Sequence, residues 1–593
     1  MLDKGFITEM VDEIRNRKLS KPELGSLKNR LCKKYGIRDL PTDAEIMMHA
    51  DSESMGIIRE SLLRKPTRTI SGVAVIAMMT KPYRCPHGTC TYCPGGPDSV
   101  FGHVPQSYTG KEPSTMRSIR NHYDPYIITF NRLEQYYVSG HFPEKAEVII
   151  QGGTFNFYHH EYQEYFVKYT LKAMNDFSNL FFSKGDFDIK RFRDFFELPG
   201  ELTKERTLRI HNKLLSLKYN FIDDNSSIRE TECNGQLLGY EQMNGEPSLL
   251  NMQEANETAK IRCVGLTIET KPDYGKLIHG NNMLELGCTR IEIGVQSIYN
   301  EVLRSINRGH SVEDTIDSFR ILRDLGFKIT AHYMPGLPRT TTEMDRYALS
   351  QMFNNPDFMP DMIKVYPCMV MKGTALYSDW RKGNFKPITT MEAAELIADF
   401  KAHVPRYCRI MRVQRDIPTY MTSGGVDRTN LRQYISKLMK EKGIKCNCIR
   451  CREAGILMVR NVLNMDKINI LVEEYEASHG REFFISAEDV NSNVLYGYCR
   501  LRFPSLCLRK EITKESALVR EIHVYSPAVP IGSVSENSFQ HRGIGKRLMQ
   551  NAEEIAGLNR KDKIVVIAGI GAREYFRKIG YVREGVYMVK RLK

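Results

Sequence analysis

The sequence predicts an α/β protein: a partial (βα)6 TIM-like barrel followed by an α+β domain, with a small helical module in front. Three observations carry that prediction. Between residues 70 and 400, six strand-sized apolar runs alternate with amphipathic helical stretches. The first run is followed at once by a loop holding Cys85, Cys90 and Cys93. From about residue 465 the pattern changes to antiparallel strands that lead into a glycine-rich helix start. The division this implies is 1–69, 70–400 with an insertion at 175–257, a connector at 401–464, and 465–593.

In chain order, Met1 to Lys18 and Pro22 to Tyr35 have helical apolar spacing, and Pro41 to Glu45 opens a third helix capped by Thr42 or Asp43. Arg15, Arg17, Lys18, Lys28, Arg30, Lys33, Lys34 and Arg38 make this module a candidate nucleic-acid binder, and Arg64 to Arg68 is a basic linker. The six barrel strands are expected at Val73–Met79, Ala146–Gln151, Val264–Glu269, Arg290–Gln296, Lys328–Tyr333 and Met362–Tyr366. Helices such as Asp124–Ser139 and Ser311–Leu325 lie between them. Chemistry in such a barrel belongs at the C-terminal ends of the strands, which is where the cysteine loop falls. Residues 175–257 are polar and irregular in places, as in Phe221 to Ser227, and read as part helical and part mobile. Strands at Phe483–Ile485, Val494–Phe503 and Leu518–Tyr525 then precede a helix, the strand Ile564–Ala568, the helix Ala572–Ile579 and a final hairpin.

Length and composition narrow the class. The 593 residues, 41% of them hydrophobic, suit several packed cores, and no run approaches the ~18 apolar residues a membrane-spanning helix needs. A soluble, cytoplasmic protein is expected. A formal net charge of +14 makes a polyanionic partner, nucleic acid first, the natural counterpart. Tight cysteine clusters in a reducing compartment favour metal over disulfide.

There are two such clusters. Cys85-x4-Cys90-x2-Cys93 can gather three thiolates at one centre, and Pro94-Gly95-Gly96 keeps the loop from continuing as a helix. The next cysteine is Cys233, in a polar segment, so an iron–sulfur cluster here would have three protein ligands and one open iron. A zinc loop with His87 as fourth ligand is the alternative. The second cluster, Cys446, Cys448 and Cys451, reads as structural zinc, with His403 and Cys408 as candidates for the fourth ligand.

The other strand ends complete a constellation. Gly152 and Gly153 follow the second strand, where glycines let backbone approach an amino-acid-like ligand. Glu269 ends the third strand, Gly294-Val295-Gln296-Ser297 the fourth and Met334 to Pro338 the fifth. Together with the cysteine loop this layout resembles the radical S-adenosylmethionine (SAM) superfamily, with C-x4-C-x2-C in place of the usual C-x3-C-x2-C. In the C-terminal part, Gln540-x-x-Gly543-x-Gly545 opens a helix, a cradle for pyrophosphate. Its setting resembles the acetyl-coenzyme A (acetyl-CoA) site of the GNAT acetyltransferases, with Tyr575 and Phe576 in the last helix.

The motifs Cys-Pro-His-Gly (85–88), Tyr-Cys-Pro-Gly-Gly-Pro-Asp-Ser (92–99), Gln-Ser-Tyr-Thr-Gly (106–110), Val-Gln-Arg-Asp-Ile-Pro (413–418) and Glu-Ile-His-Val-Tyr (521–525) resemble the catalytic subunit family of the Elongator complex. The resemblance covers about 70–175 and 258–593. It implies a tRNA-modifying enzyme that makes 5-carboxymethyluridine at the wobble position from acetyl-CoA and SAM. A 4Fe-4S cluster on Cys85, Cys90 and Cys93 would cleave SAM to a radical that takes hydrogen from the acetyl methyl group. The resulting carbon radical would add to uracil C5, and thioester hydrolysis would leave the carboxymethyl group. Such chemistry suits C5, which is a poor nucleophile toward a thioester, and an unpaired wobble base costs little to present.

By the same resemblance Lys145, Glu521, Ile522, His523, Val524, Ile544, Gly545, Lys546, Arg547 and Phe576 map onto acetyl-CoA contacts. Gly152, Gly153, Glu269 and Gln296 fall to SAM, and Lys271 and Tyr575 are the catalytic candidates. The partners implied are the tRNA anticodon stem-loop and either a second copy or accessory subunits. The competing readings are a protein lysine acetyltransferase with the barrel as scaffold, which needs a base near the acceptor amine, and a non-catalytic RNA-binding scaffold.

Overall fold

The computed structural model describes residues 2–17, 19–63, 69, 72–201, 203–219, 247–457, 467–525 and 543–592. Lys18, the linker 64–68, the run 221–227, Cys233 and Gln540-His541-Arg542 lie outside the described residues. The chain packs as two compact units. One comprises Met1–Ile76, Asp124–Ala146 and Phe166–Arg262; the other comprises Ala77–Tyr123, Glu147–Tyr165 and Cys263–Lys593.

The first unit begins with helices at Lys4–Asn16, Lys21–Lys34 and Asp43–His49. Thr42 caps the third: its side chain accepts from the Glu45 N–H while Glu45 reaches back, a capping box. A fourth helix, Ser52–Leu62, goes beyond the three expected; it starts two residues after its predecessor, with Asp51 as its cap. Phe6, Met10, Leu31 and Ile46 are fully buried among these helices. The described part of 175–257 is helical, at Ile189–Phe196, Lys204–Tyr219 and Leu249–Thr258. Phe177, Phe181, Phe192 and Phe196 are fully buried and stack on one another and on Tyr137. The helical part expected of this insertion is present, with closely spaced phenylalanines supplying a core of their own; the irregular run 221–227 lies outside the described residues.

The half-barrel sheet has seven strands in sequential order: β1 Val73–Met79, β2 Lys145–Gln151, β3 Arg262–Thr270, β4 Arg290–Gln296, β5 Lys328–Tyr333, β6 Met362–Val365 and β7 Arg409–Arg412. From β3 to β7 each strand pairs in parallel with the next. Six agree with the sequence reading. The seventh lies in the expected connector, because Arg409-Ile410-Met411-Arg412 buries only Ile410 fully and is too short and basic to read as a strand.

A second seven-stranded sheet follows, with β8 Asn469–Ala477, β9 Gly480–Asp489, β10 Val494–Phe503, β11 Ser516–Val524, β12 Lys563–Val566, β13 Val582–Glu584 and β14 Tyr587–Arg591. Its order is β8-β9-β10-β11-β12-β14-β13, antiparallel except where β11 meets β12. That mixed sheet with the helix Ile544–Leu558 is the α+β domain expected. The strand β8 escaped the sequence reading, since Glu473, Glu474 and Glu476 give it the charged face of an edge strand.

A chain of alternating charges ties the two sheets together. It runs Asp324, Arg502, Glu482, Arg520, Asp361, Arg500, Glu521, Lys328, with successive ion pairs of 2.6, 2.9, 2.8, 2.7, 3.5, 3.0 and 3.7 Å. Asp324, Arg502, Arg500 and Asp361 are fully buried. Such pairs add little net stability over apolar packing, but breaking one strands a charge, so they fix how the sheets meet. No helix among the described residues is long and apolar enough to cross a membrane.

Candidate active site and metal centres

The cysteine loop leaves β1 and is pinned at three points. Thr91 donates its N–H to the Ile306 carbonyl, Leu376 donates to the Thr91 carbonyl, and Asn307 donates its amide to the Thr89 carbonyl. Tight turns bring Gly88 N–H to the Cys85 carbonyl and Cys93 N–H to the Cys90 carbonyl. Cys90 and Cys93 are buried and Cys85 is half-buried.

Each sulfur meets donors. Ser107 points its N–H at the Cys93 sulfur (3.2 Å), and Thr154 Oγ1 lies 3.9 Å from that of Cys85. Cys90 receives Arg308 Nη1 at 3.7 Å and His87 Nε2 at 3.2 Å. Behind His87, Lys271 Nζ stands 2.9 Å from Nδ1 and 3.2 Å from Asp273. Burial, reinforced by the Lys271 and Arg308 cations, pushes His87 down to about 3, so the ring is neutral. Burial raises the metal-free Cys85 thiol to about 11.

The ligand atoms of Cys446, Cys448 and Cys451 lie within 4.8 Å of one another. A tetrahedral zinc with Zn–S near 2.3 Å holds its sulfurs about 3.8 Å apart, so this second cluster suits one small ion. At the second cluster Lys401 Nζ faces the sulfurs of Cys446 and Cys451, at 3.3 and 3.8 Å. Neither His403, which is exposed, nor Cys408 joins this triplet.

Gly152 and Gly153 have φ of +124° and +107°, a region closed to most side chains. A Cβ on Gly152 would collide with Thr80 Oγ1, and one on Gly153 would lie 3.2 Å from Gln106 Cβ and 3.7 Å from the Cys85 sulfur. This strand end thus presents bare backbone beside the cysteine loop. Glu269 accepts from Gln151 Nε2 at 3.0 Å and from Tyr108 Oη at 3.1 Å. Gln296 has φ +68°, and its buried Oε1 has no hydrogen-bond partner among the described residues. The same holds for Gln106 Oε1 and for both amide atoms of Asn156. Unpartnered buried polar atoms near a glycine pair and a thiol loop are groups that a polar ligand would satisfy.

The C-terminal candidates gather around one glycine. Pairing of β11 with β12 stops at Val519 opposite Val566, although β11 continues to Val524 against β10. The half-buried Ile522, His523 and Val524 fall on this continuation. The helix Ile544–Leu558 starts at Gly543 (φ +79°), and a Cβ on Gly545 would lie 2.9 Å from Tyr575 Oη and 3.8 Å from Val524 Cγ2. Ile544 is buried, and Lys546 and Arg547 are exposed on the first turn. Tyr575 is partly exposed, its phenol raised to about 12 by burial and nearby Cys499; Phe576 packs inward against Tyr581. Glu521 is instead held by Arg500 and Lys328, so its side chain belongs to the ion-pair chain. Lys145 opens β2, and burial together with Arg262 lowers its ammonium pKa, which is not the behaviour of an ordinary solvated lysine.

Sequence reasoning missed Arg308, Gln106 and Asn156, and it did not connect His87 with Lys271, 184 residues away. No spacing rule joins residues so distant; only the ends of β1 and β3, on either side of β2 in the folded sheet, could have suggested it.

A half-barrel of sequential parallel strands, a three-cysteine loop after the first and an α+β sheet domain behind define a radical SAM protein with an appended domain. Comparison with known proteins agrees. Residues 4–70 match the model of the ELP3 N-terminal domain, 242–348 the Radical SAM superfamily and 360–441 the Radical_SAM C-terminal domain. The chain is 42% identical to the tRNA uridine(34) acetyltransferase of Methanocaldococcus infernus, over 99% of this chain and 98% of that one. It is 38% identical to Elongator complex protein 3 of Homo sapiens, over 96% and 93%. A solved structure of archaeal Methanocaldococcus infernus Elp3 with its N-terminus deleted matches at TM-score 0.68 and 39% identity, covering 88% of this chain and 100% of that one. The chain belongs to the Elongator complex protein 3 family.

Proposed function

We propose that this protein modifies the wobble uridine of tRNA, forming 5-carboxymethyluridine from acetyl-CoA and SAM. The observation that carries the reading is the loop with Cys85, Cys90 and Cys93 after β1, its Cys85 sulfur set against the bare backbone of Gly153. Cys85, Cys90 and Cys93 would hold a 4Fe-4S cluster, which would supply one-electron reduction of SAM. Gly152 and Gly153 would admit the amino-acid end of SAM beside it, with Glu269 and Gln296 as further polar contacts. The continuation of β11 past β12 and the helix start at Gly543 and Gly545 would hold the acetyl-CoA pantetheine and pyrophosphate. Lys546 and Arg547 are exposed to pair with its phosphates. Tyr575, beside Gly545, is the nearest hydroxyl to that cradle. The chain's formal net charge of +14 would draw the anionic tRNA, although the N-terminal helices themselves balance basic with acidic residues.

Cys446, Cys448 and Cys451 would hold a structural zinc, for which their close spacing speaks. The test is anaerobic reconstitution with iron and sulfide, then incubation with tRNA, SAM, acetyl-CoA and a reductant. Mass spectrometry should find carboxymethylated uridine that disappears when any one component is left out. Acetylated protein lysines with unmodified tRNA would overturn the reading.

A further inference from the structure

We propose that Lys271 and His87 are positioning residues that hold an N–H donor on the Cys90 sulfur and so set the reduction potential of the cluster this loop would carry. The proposal rests on the cluster reading above and deepens it. Its starting point is a line of three side chains contributed by two separate elements. Lys271 Nζ lies 2.9 Å from His87 Nδ1, and His87 Nε2 lies 3.2 Å from Cys90 Sγ.

The donor inventory fixes the direction. An ammonium offers protons and no lone pair, so Nδ1 must accept; a neutral imidazole that accepts at Nδ1 carries its hydrogen on Nε2. That hydrogen faces the sulfur. Two further features keep the line in place. Lys271 is 2% exposed and is paired with Asp273 at 3.2 Å, so its charge is anchored. Gly309, at φ +73°, packs directly on His87, and any Cβ there would strike the His87 side chain.

The three cysteines are therefore unequal. Cys90 takes a ring N–H and a guanidinium, Cys93 takes backbone N–H groups of Gly95 and Ser107 with the Ser107 hydroxyl at 3.8 Å, and Cys85 has a hydroxyl at 3.9 Å, so Cys90 alone of the three meets a ring and a cation. Donors and positive charge at a cluster's sulfurs stabilise its more negative, reduced form and raise its potential. The open side of the site, toward Gly153, is at Cys85. The tuning is applied at Cys90, where His87 and Arg308 stand.

The experiment is a dye-mediated redox titration of the anaerobically reconstituted full chain, with dithionite as the one-electron donor. It is followed by the electron paramagnetic resonance signal of the reduced cluster. His87→Phe removes the donor, Lys271→Met removes the cation that fixes the tautomer, and Lys271→Arg keeps a cationic donor. At a fixed applied potential, His87→Phe and Lys271→Met should each lower the reduced-to-oxidised ratio roughly tenfold, a shift of about 59 mV for one electron. Lys271→Arg should stay within about threefold of the unaltered chain, a shift below about 30 mV on the same scale. Both removals titrating with the unaltered chain would overturn the proposal. So would loss of iron in His87→Phe with an unmoved potential in Lys271→Met, since that makes His87 a ligand. An unaltered chain that loads no iron would overturn the cluster reading and this proposal together, whereas a loaded chain with unmoved variants would overturn this proposal alone.

Discussion

The two cysteine triplets, one spread over nine residues and the other over six, sit in different surroundings. Cys446, Cys448 and Cys451 draw their ligand atoms within 4.8 Å of one another, and Lys401 is the cation beside them. Cys85, Cys90 and Cys93 are each met by a different donor from a different element. Spacing contributes to the contrast, since x4 separates the first pair of one triplet and a single residue that of the other. The surroundings contribute more. The first loop sits at the ends of parallel strands, beside a glycine pair and unpartnered side-chain amides. The second runs into the helix Ile449–Arg452, which holds Cys451 and whose Arg452 pairs with Glu488 of β9 at 2.7 Å, while the next residue, Glu453, pairs with Arg409 of β7. On the reading proposed above, the first triplet serves chemistry and the second fastens the half-barrel to the C-terminal sheet.

That contrast can be broken in several places. The largest effect is expected from Cys90→Ala, which should lower uridine modification by about 10³-fold or more, on the order of 4 kcal/mol of barrier. Its tRNA binding, measured by filter retention, should be unchanged; weakened binding would make the first triplet structural too. Cys448→Ala should do the opposite. Its zinc should be lost and its denaturant midpoint should fall by an amount on the order of 4 kcal/mol, while the iron-cluster spectrum of the folded fraction persists. A lost iron spectrum would erase the distinction.

Glu488→Gln tests the fastening itself. Glu488 and Arg452 are both buried, and stranding the guanidinium should cost about 3–5 kcal/mol, read by equilibrium unfolding, with turnover per folded molecule unaltered. A midpoint within error of the unaltered chain would show that the helix Ile449–Arg452 needs no such anchor.

A smaller effect concerns pH. Burial alone would raise the Glu521 pKa, but Lys328 and Arg500 outweigh it and hold the carboxyl at about 2, against 4.5 for a free one. A depressed carboxyl contributes stability that is present above about 4.5 and is lost as pH falls toward about 2. Acid unfolding should be shallower over that window in Glu521→Gln, and an unchanged acid limb would contradict the role given to the ion-pair chain.

Much of this architecture was legible in the sequence because its period is strong. The strands β1 to β6 are apolar runs bounded by turn residues, and the glycines after β2 announce a backbone conformation few other residues adopt. What escaped is amphipathic or distant. The strand β7 reads as basic linker because its neighbours, and not its own apolar content, hold it in the sheet. The strand β8 is an acidic edge. At the site, the thiols, the glycine pair and Glu269 could be named from spacing. The His87–Lys271 line and the unpartnered amides of Gln106 and Asn156 could not, since they exist only once β1, β2 and β3 lie side by side.

The most direct test of the account is anomalous X-ray diffraction from crystals of the anaerobically reconstituted full chain, recorded at the iron and zinc edges. The account predicts iron at Cys85, Cys90 and Cys93 with zinc at Cys446, Cys448 and Cys451. Zinc at both triplets, or iron at both, would contradict it.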